Sequence, residues 1–184
     1  MRVIAGAFKG RRLVVPRGST TRPTADQVRT ALMDTLAPYL ASARMLDLFA
    51  GAGGVGLEAL SRGAAHATFV EREPRAVAAL EANVRALGVE ARSRVLRLDV
   101  TRALALLERE RARFDVVFLD PPYETDLTMT TLDGLGSRAL VEPGGRVIAQ
   151  HLTKRPPTAE VRGLQAFRSR RFGETTLTFF RARE

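Results

Sequence analysis

The sequence predicts an α/β fold, a mostly parallel twisted sheet with helices on both faces that ends in an antiparallel strand pair. Three observations predict it. From Arg44 onward short apolar runs alternate with amphipathic stretches, glycines punctuate the turns between them, and after Pro156-Pro157 the pattern gives way to two strand-like stretches joined by Gly173-Glu174. Such alternation is the trace of a parallel sheet whose crossover connections are helices.

Taken in order, residues 2–5 and 12–15 are suited to a small hairpin, and Thr24 is placed to cap a helix over 25–36. Five strands are expected at 45–49, 67–71, 94–98, 115–119 and 146–150. Helical periodicity fills 55–62, 75–87 and 103–111, with a less regular stretch over 127–140. Gly63, Gly88 and Gly144-Gly145 mark turns, and 165–172 with 175–181 form the terminal antiparallel pair. The expected organisation is a small basic extension over 1–40 ahead of a body over 41–184, with Pro156-Pro157 in a loop and no internal repeat.

With 184 residues the chain is long enough to bury a core without disulfides or a structural metal. It has no cysteine and only two histidines, His66 and His151, so a thiolate zinc site is impossible and metal catalysis is not expected. The start has no apolar run of signal-peptide length, and no stretch approaches the ~18 apolar residues of a membrane span. A soluble, cytoplasmic, monomeric protein is the expectation. The net charge of +9 is unevenly placed: residues 1–40 carry seven basic side chains against two acids, 151–184 eight against three, and the centre fourteen against fifteen. Basic ends around a near-neutral body suit a polyanion, because clustered cations bind phosphates through counterion release.

Asp47-Leu48-Phe49-Ala50-Gly51-Ala52-Gly53-Gly54-Val55-Gly56 reads as strand, acid, glycine-rich turn and helix start. The glycines alone match a dinucleotide fingerprint. Asp47 shifts the reading, because a carboxylate ahead of the loop repels a pyrophosphate and attracts an ammonium. Asp47, Glu71, Asp99 and Asp120 each close or follow one of the first four expected strands, which places four acids on the edge where open α/β sheets bind ligands. Carboxylates there accept hydrogen bonds from an ammonium, a ribose diol and an adenine amine. By order, Asp47 falls near an amino-acid end, Glu71 on the ribose and Asp99 near the adenine, as S-adenosylmethionine requires.

Asp120-Pro121-Pro122-Tyr123 follows an apolar strand. Its prolines fix the backbone and lack N–H groups, leaving the Asp120 and Pro121 carbonyls as acceptors. An exocyclic base amine, whose lone pair is delocalised into the ring, needs acceptors for its hydrogens, and in-line attack on a sulfonium methyl then depends mainly on positioning. Tyr123 is suited to stack on the base.

Together these motifs resemble the class I, Rossmann-like methyltransferases, and more closely the RsmD family of 16S rRNA (guanine-N2) methyltransferases. Nearly the whole chain takes part: Arg2-Val3-Ile4-Ala5-Gly6, Gly10-Arg11-Arg12-Leu13, Arg22-Pro23-Thr24, Val28-Arg29, Leu57-Glu58-Ala59-Leu60-Ser61-Arg62-Gly63-Ala64 and Phe172-Gly173-Glu174-Thr175 are similar to the family's pattern. Ala5, Thr30, Ala52 and Phe172 depart from it. The resemblance implies cofactor binding by Asp47, Phe49, Ala50, Gly51, Gly53, Glu71, Arg72, Asp99, Val100 and Asp120, and a guanine amine held by Asp120, Pro121, Pro122 and Tyr123. With the charge placement it implies contacts to 16S rRNA or the small ribosomal subunit from Arg2, Lys9, Arg11, Arg12, Arg22 and Arg29, and Arg168, Arg170 and Arg171 are candidates for the same face. The alternatives are a DNA adenine-N6 methyltransferase, which shares the Asp-Pro-Pro-Tyr motif, a non-catalytic RNA-binding assembly factor, and a nicotinamide oxidoreductase.

Overall fold

A computed structural model describes residues 1–16, 23–123 and 126–183. The strands are β1 (Arg44–Leu48), β2 (His66–Val70), β3 (Ser93–Leu96), β4 (Phe114–Leu119), β5 (Val141–Leu152), β6 (Glu160–Val161), β7 (Leu164–Phe172) and β8 (Thr175–Ala182). The helices are α1 (Pro23–Leu40), α2 (Gly54–Ser61), α3 (Pro74–Leu87), α4 (Val100–Arg109) and α5 (Leu127–Ser137). One sheet joins all the strands in the order β3-β2-β1-β4-β5-β8-β7-β6. β1 to β5 run parallel, and β8, β7 and β6 add to β5 in antiparallel pairings. The mostly parallel sheet and the terminal β7–β8 pair are therefore those the sequence predicts.

Strand alternation divides the core into two layers. Met45, Phe69, Val116, Phe118, Ile148 and Phe179 pack on one face with α1, α2 and α3, whereas Leu46, Leu48, Val70, Val117, Leu119 and Phe180 pack on the other with α4 and α5. Both faces of β1 and β4 are buried, which is why their sequences are almost continuously apolar. Val3 and Leu13 of the opening segment, with Val28, Leu32 and Leu36 of α1, belong to the first of these cores. The first forty residues thus share their hydrophobic interior with the body.

Four local expectations are corrected. The opening hairpin is short: one antiparallel bridge, Arg2 with Arg12, is flanked by main-chain bonds from Val3 to Arg11 and from Leu13 to Met1, while the N–H groups of Ile4, Ala5 and Val14 turn to Glu58 and Asn83. α1 begins at Pro23, ahead of Thr24, and runs on to Leu40; proline suits a first turn, where its missing N–H would have no partner in the helix. Gly144-Gly145 lies inside β5 and not in a turn ahead of it: the register with β4 jumps between Phe114 and Val116, and the bulge is made at Gly144, whose φ of 73° a side chain rarely adopts. The two-residue β6 is too short to carry a sequence period and has no counterpart among the expected strands.

Candidate active site

The four acids gather along one edge of the sheet, each held differently. Asp47 lies within β1 and is buried, and its Oδ2 accepts the N–H of Gly56 in α2 at 2.9 Å. Burial pushes its carboxyl up to about 7, the Gly56 bond opposes this, and the charges of Asp120 and Glu71 add to it. Glu71 immediately follows β2. Its Oε2 accepts the Gly51 N–H at 2.8 Å, and its Oε1 accepts those of Arg72 and Glu73, each at 2.8 Å. Asp99 caps α4 by accepting the Arg102 N–H at 3.0 Å. Asp120 follows β4, half-buried, and its carboxylate accepts no hydrogen bond among the described residues. Desolvation pushes it, too, up to about 7.

These side chains border two cavities that share Phe49 and Asp120. The larger, about 770 Å³, is lined by Glu71, Arg72, Asp99, Val100 and the whole of Asp120 to Tyr123. The smaller, about 440 Å³, is lined by Asp47, Ala50, Gly51, Arg29 and Gln150 among others. Every residue of the expected cofactor set except Gly53 faces one of them. Gly53 lies behind: with φ 85° it caps α2, and a Cβ there would stand 2.4 Å from Leu80 Cδ1. Phe49 at the junction has φ 63°, a left-handed conformation that is costly for an aromatic residue and is imposed by the loop around it. The main chain fixes that loop through Ala50 N–H to Val70 O at 2.9 Å and Gly53 N–H to Ala50 O at 2.8 Å.

Tyr123 lines the larger cavity, and its hydroxyl accepts from Gln150 Nε2 at 2.9 Å and lies 3.5 Å from Thr175 Oγ1. β5 and β8 therefore hold the end of a ring contributed by the loop after β4. Gln150 is not among the residues that the sequence singles out, and no local signal could have found it, since it sits 27 residues from its partner.

Two further buried residues tie the opening segment to the site. Glu58 of α2 accepts the N–H groups of Ile4 at 2.7 Å and Ala5 at 2.9 Å and pairs with Arg62 at 2.9 Å. Asn83 of α3 accepts Val14 N–H and donates to the carbonyls of Val14 and Ala52. Of the residues expected at RNA, Arg2, Lys9, Arg11 and Arg12 are exposed on the opening segment, as are Arg168 and Arg171 on β7. Arg170 reaches α1, 3.4 Å from Ala31 O. Arg22 lies outside the described residues. Arg29 is only 5% exposed, so it does not share the surface of the other arginines.

Among the described residues, no three histidines or acids are grouped to hold a metal, and no helix is long and apolar enough to cross a membrane.

The family described as Conserved hypothetical protein 95 matches residues 1–181. A protein of Bacillus subtilis (strain 168) named "Putative rRNA methyltransferase YlbH" is 36% identical over 183 residues, which span all of both chains. Ribosomal RNA small subunit methyltransferase D of Haemophilus influenzae is 31% identical over 156 residues, 85% of this chain and 81% of that one. Among solved structures, "Putative methyltransferase yhhF from Escherichia coli" superposes with a TM-score of 0.87 at 27% identity, covering 100% of this chain and 98% of the other. The fold is that of the class I methyltransferases.

Proposed function

The chain belongs to the family of conserved hypothetical protein 95 and ribosomal RNA small subunit methyltransferase D, and from that premise we propose that it transfers a methyl group from S-adenosylmethionine to the exocyclic N2 amine of a guanine in 16S rRNA. The observation that carries the reading is Asp120, a desolvated carboxylate without a hydrogen-bond partner among the described residues, beside Tyr123 at the mouth of an acid-lined cavity.

The cavity fits the cofactor chemically. Asp47 and Asp120 face the same space, and their mutual repulsion favours a cationic ligand. The Glu71 carboxylate, already fixed by three main-chain N–H groups, keeps lone pairs for ribose hydroxyls. Phe49, Leu98 and Val100 supply apolar surface for a purine. When bound, S-adenosylmethionine supplies an electrophilic methyl group on a sulfonium.

Asp120 accepts one hydrogen of the guanine amine and a main-chain carbonyl of the Pro-Pro segment accepts the other, so that the nitrogen lone pair points at the methyl. With the cofactor bound, the amine nitrogen would take the methyl as the S–C bond pair passed to sulfur, and the amine's surplus proton would leave through Asp120 to solvent. A carboxyl near neutrality in pKa is suited to both steps. The Tyr123 ring, its hydroxyl tethered by Gln150, stacks on the base. The exposed arginines of the opening segment bind flanking phosphates.

Labelled S-adenosylmethionine offered with unmodified small ribosomal subunits or with genomic DNA tests the reading. Label recovered as N2-methylguanosine from 16S rRNA is expected. Label found only in DNA adenine rejects it.

A further inference from the structure

Arg29 is buried at 5% exposure, yet only Nη2 among its donor nitrogens is used by the described residues. Nη2 donates to Arg2 O at 2.6 Å and to Asp26 Oδ1 at 3.1 Å. Nε is enclosed without a partner, and no described residue accepts from Nη1. An arginine that surrenders its hydration and leaves donors unused is costly unless an anion completes it. Burial lowers its pKa, with Asp26 and Glu58 opposing.

Arg29 borders the smaller cavity, which Asp26, Asp47 and Asp120 also line. It leans on the first turn of α2: a Cβ added to Gly54 would come 3.2 Å from Nη1. The first turn of α2 already gives its Gly56 N–H to Asp47, so the donor left for an anion there is Nη1 of Arg29. The neighbouring charges that act on the guanidinium are Asp26, Glu58 and Arg62. Asp26, Asp47 and Asp120 thus line the same cavity as the arginine, and only Asp26 is paired with it.

Resting on the cofactor reading above, we propose that Arg29 binds the carboxylate of the amino-acid end of S-adenosylmethionine, in the cavity that Asp47 and Asp120 also line. Arg29 is then a cofactor-binding residue and not an RNA contact. Because the main-chain carbonyl of Arg2 orients it, the opening segment couples to cofactor affinity through this one side chain. An RNA phosphate is a poorer occupant: Met1 covers the same first turn of α2, its Sδ 2.8 Å from the position of a Gly54 Cβ, and leaves little room for a bulky phosphodiester.

Calorimetry on the full chain distinguishes the assignments. S-adenosylhomocysteine carries the whole amino-acid end, its decarboxylated analogue keeps only the ammonium, and methylthioadenosine has neither. The wild type should bind the decarboxylated analogue about 10 to 100-fold more weakly than S-adenosylhomocysteine, as charge-assisted hydrogen bonds imply. Arg29→Gln should lose the same factor for S-adenosylhomocysteine while its affinity for methylthioadenosine stays within about twofold, with Arg29→Lys recovering part of the loss. Wild-type indifference to the carboxylate overturns the proposal even if the variants fail to fold. Equal losses on both nucleosides in Arg29→Gln overturn it in favour of a structural role. A wild type that binds none of the three overturns the cofactor reading, and this assignment with it.

Discussion

The two sides of the cleft are built on opposite terms. On the side of the opening segment, buried polar groups other than Arg29 are largely satisfied: Glu58 accepts from Ile4, Ala5 and Arg62, Asn83 makes three bonds, and Asp47 has Gly56. On the side of β4, Asp120 has no such bond among the described residues, and Tyr123 is anchored only by its hydroxyl. Satisfied polar networks make a rigid wall, whereas a desolvated carboxylate left open is the arrangement of a group waiting for a ligand. Of the two acids pushed to about 7, Asp47 is bonded to α2 and Asp120 is left open.

Removing the open acid should have the largest effect. Asp120→Ala is expected to lower methyl transfer about 10³-fold, the scale for losing one aligned hydrogen-bonding group at a reacting centre, while RNA binding measured by filter retention stays near the wild-type value. Transfer within tenfold of the wild type would remove Asp120 from the chemistry. Breaking the wall should appear as instability instead. Glu58→Ala leaves the Ile4 and Ala5 N–H groups without their acceptor and Arg62 with Asp34 alone, and a loss of about 3 kcal/mol is expected in urea unfolding. A loss below about 1 kcal/mol would mean that the segment is held by its apolar packing alone.

Tyr123→Ala should weaken transfer by roughly 1–3 kcal/mol, the value of one base–aromatic stack, and Tyr123→Phe by much less, because it gives up only the Gln150 tether. Comparable losses in the two variants would shift the role from ring to hydroxyl. The acids also set a pH dependence. Unfolded carboxyls titrate near 4, so between about 4 and 7 the folded chain binds more protons than the unfolded one, and stability falls as pH rises through that window and levels above it. Asp47→Asn should flatten part of this slope, and kcat/KM should rise with pH through about 7 as Asp120 ionises. Smallest of all, charge removal at Arg11 and Arg12 should lower the salt dependence of RNA binding by a slope of about 0.7 to 0.9 for each phosphate that is no longer neutralised. An unchanged slope assigns these two arginines to solvent.

What is legible in the sequence follows the same division. The parallel strands, the glycine loop and the acids at strand ends are local patterns, and each occurs close to its expected place. The wall is not legible, because it is made of tertiary pairings: Glu58 and Ile4 are 54 residues apart, and Asn83 and Val14 are 69 apart. Arg29 shows why charge alone misleads. In the sequence it is one basic residue among many, and only burial and its unused donors set it apart from Arg11 and Arg12. Gly144-Gly145 misleads for a simpler reason, since a bulge and a turn use glycine alike.

The strand order carries a consequence for the way the protein is made. β8 is synthesised after β7 but takes the place between β5 and β7. A nascent chain that has delivered everything up to β7 has the parallel half of the sheet, while β7 has only β6 to pair with. Thr175, beside the Tyr123 hydroxyl, arrives with that last strand. The glycine loop and its acids can therefore assemble before β8, but the support behind the tyrosine is complete only once the β7–β8 hairpin has docked its second strand on β5.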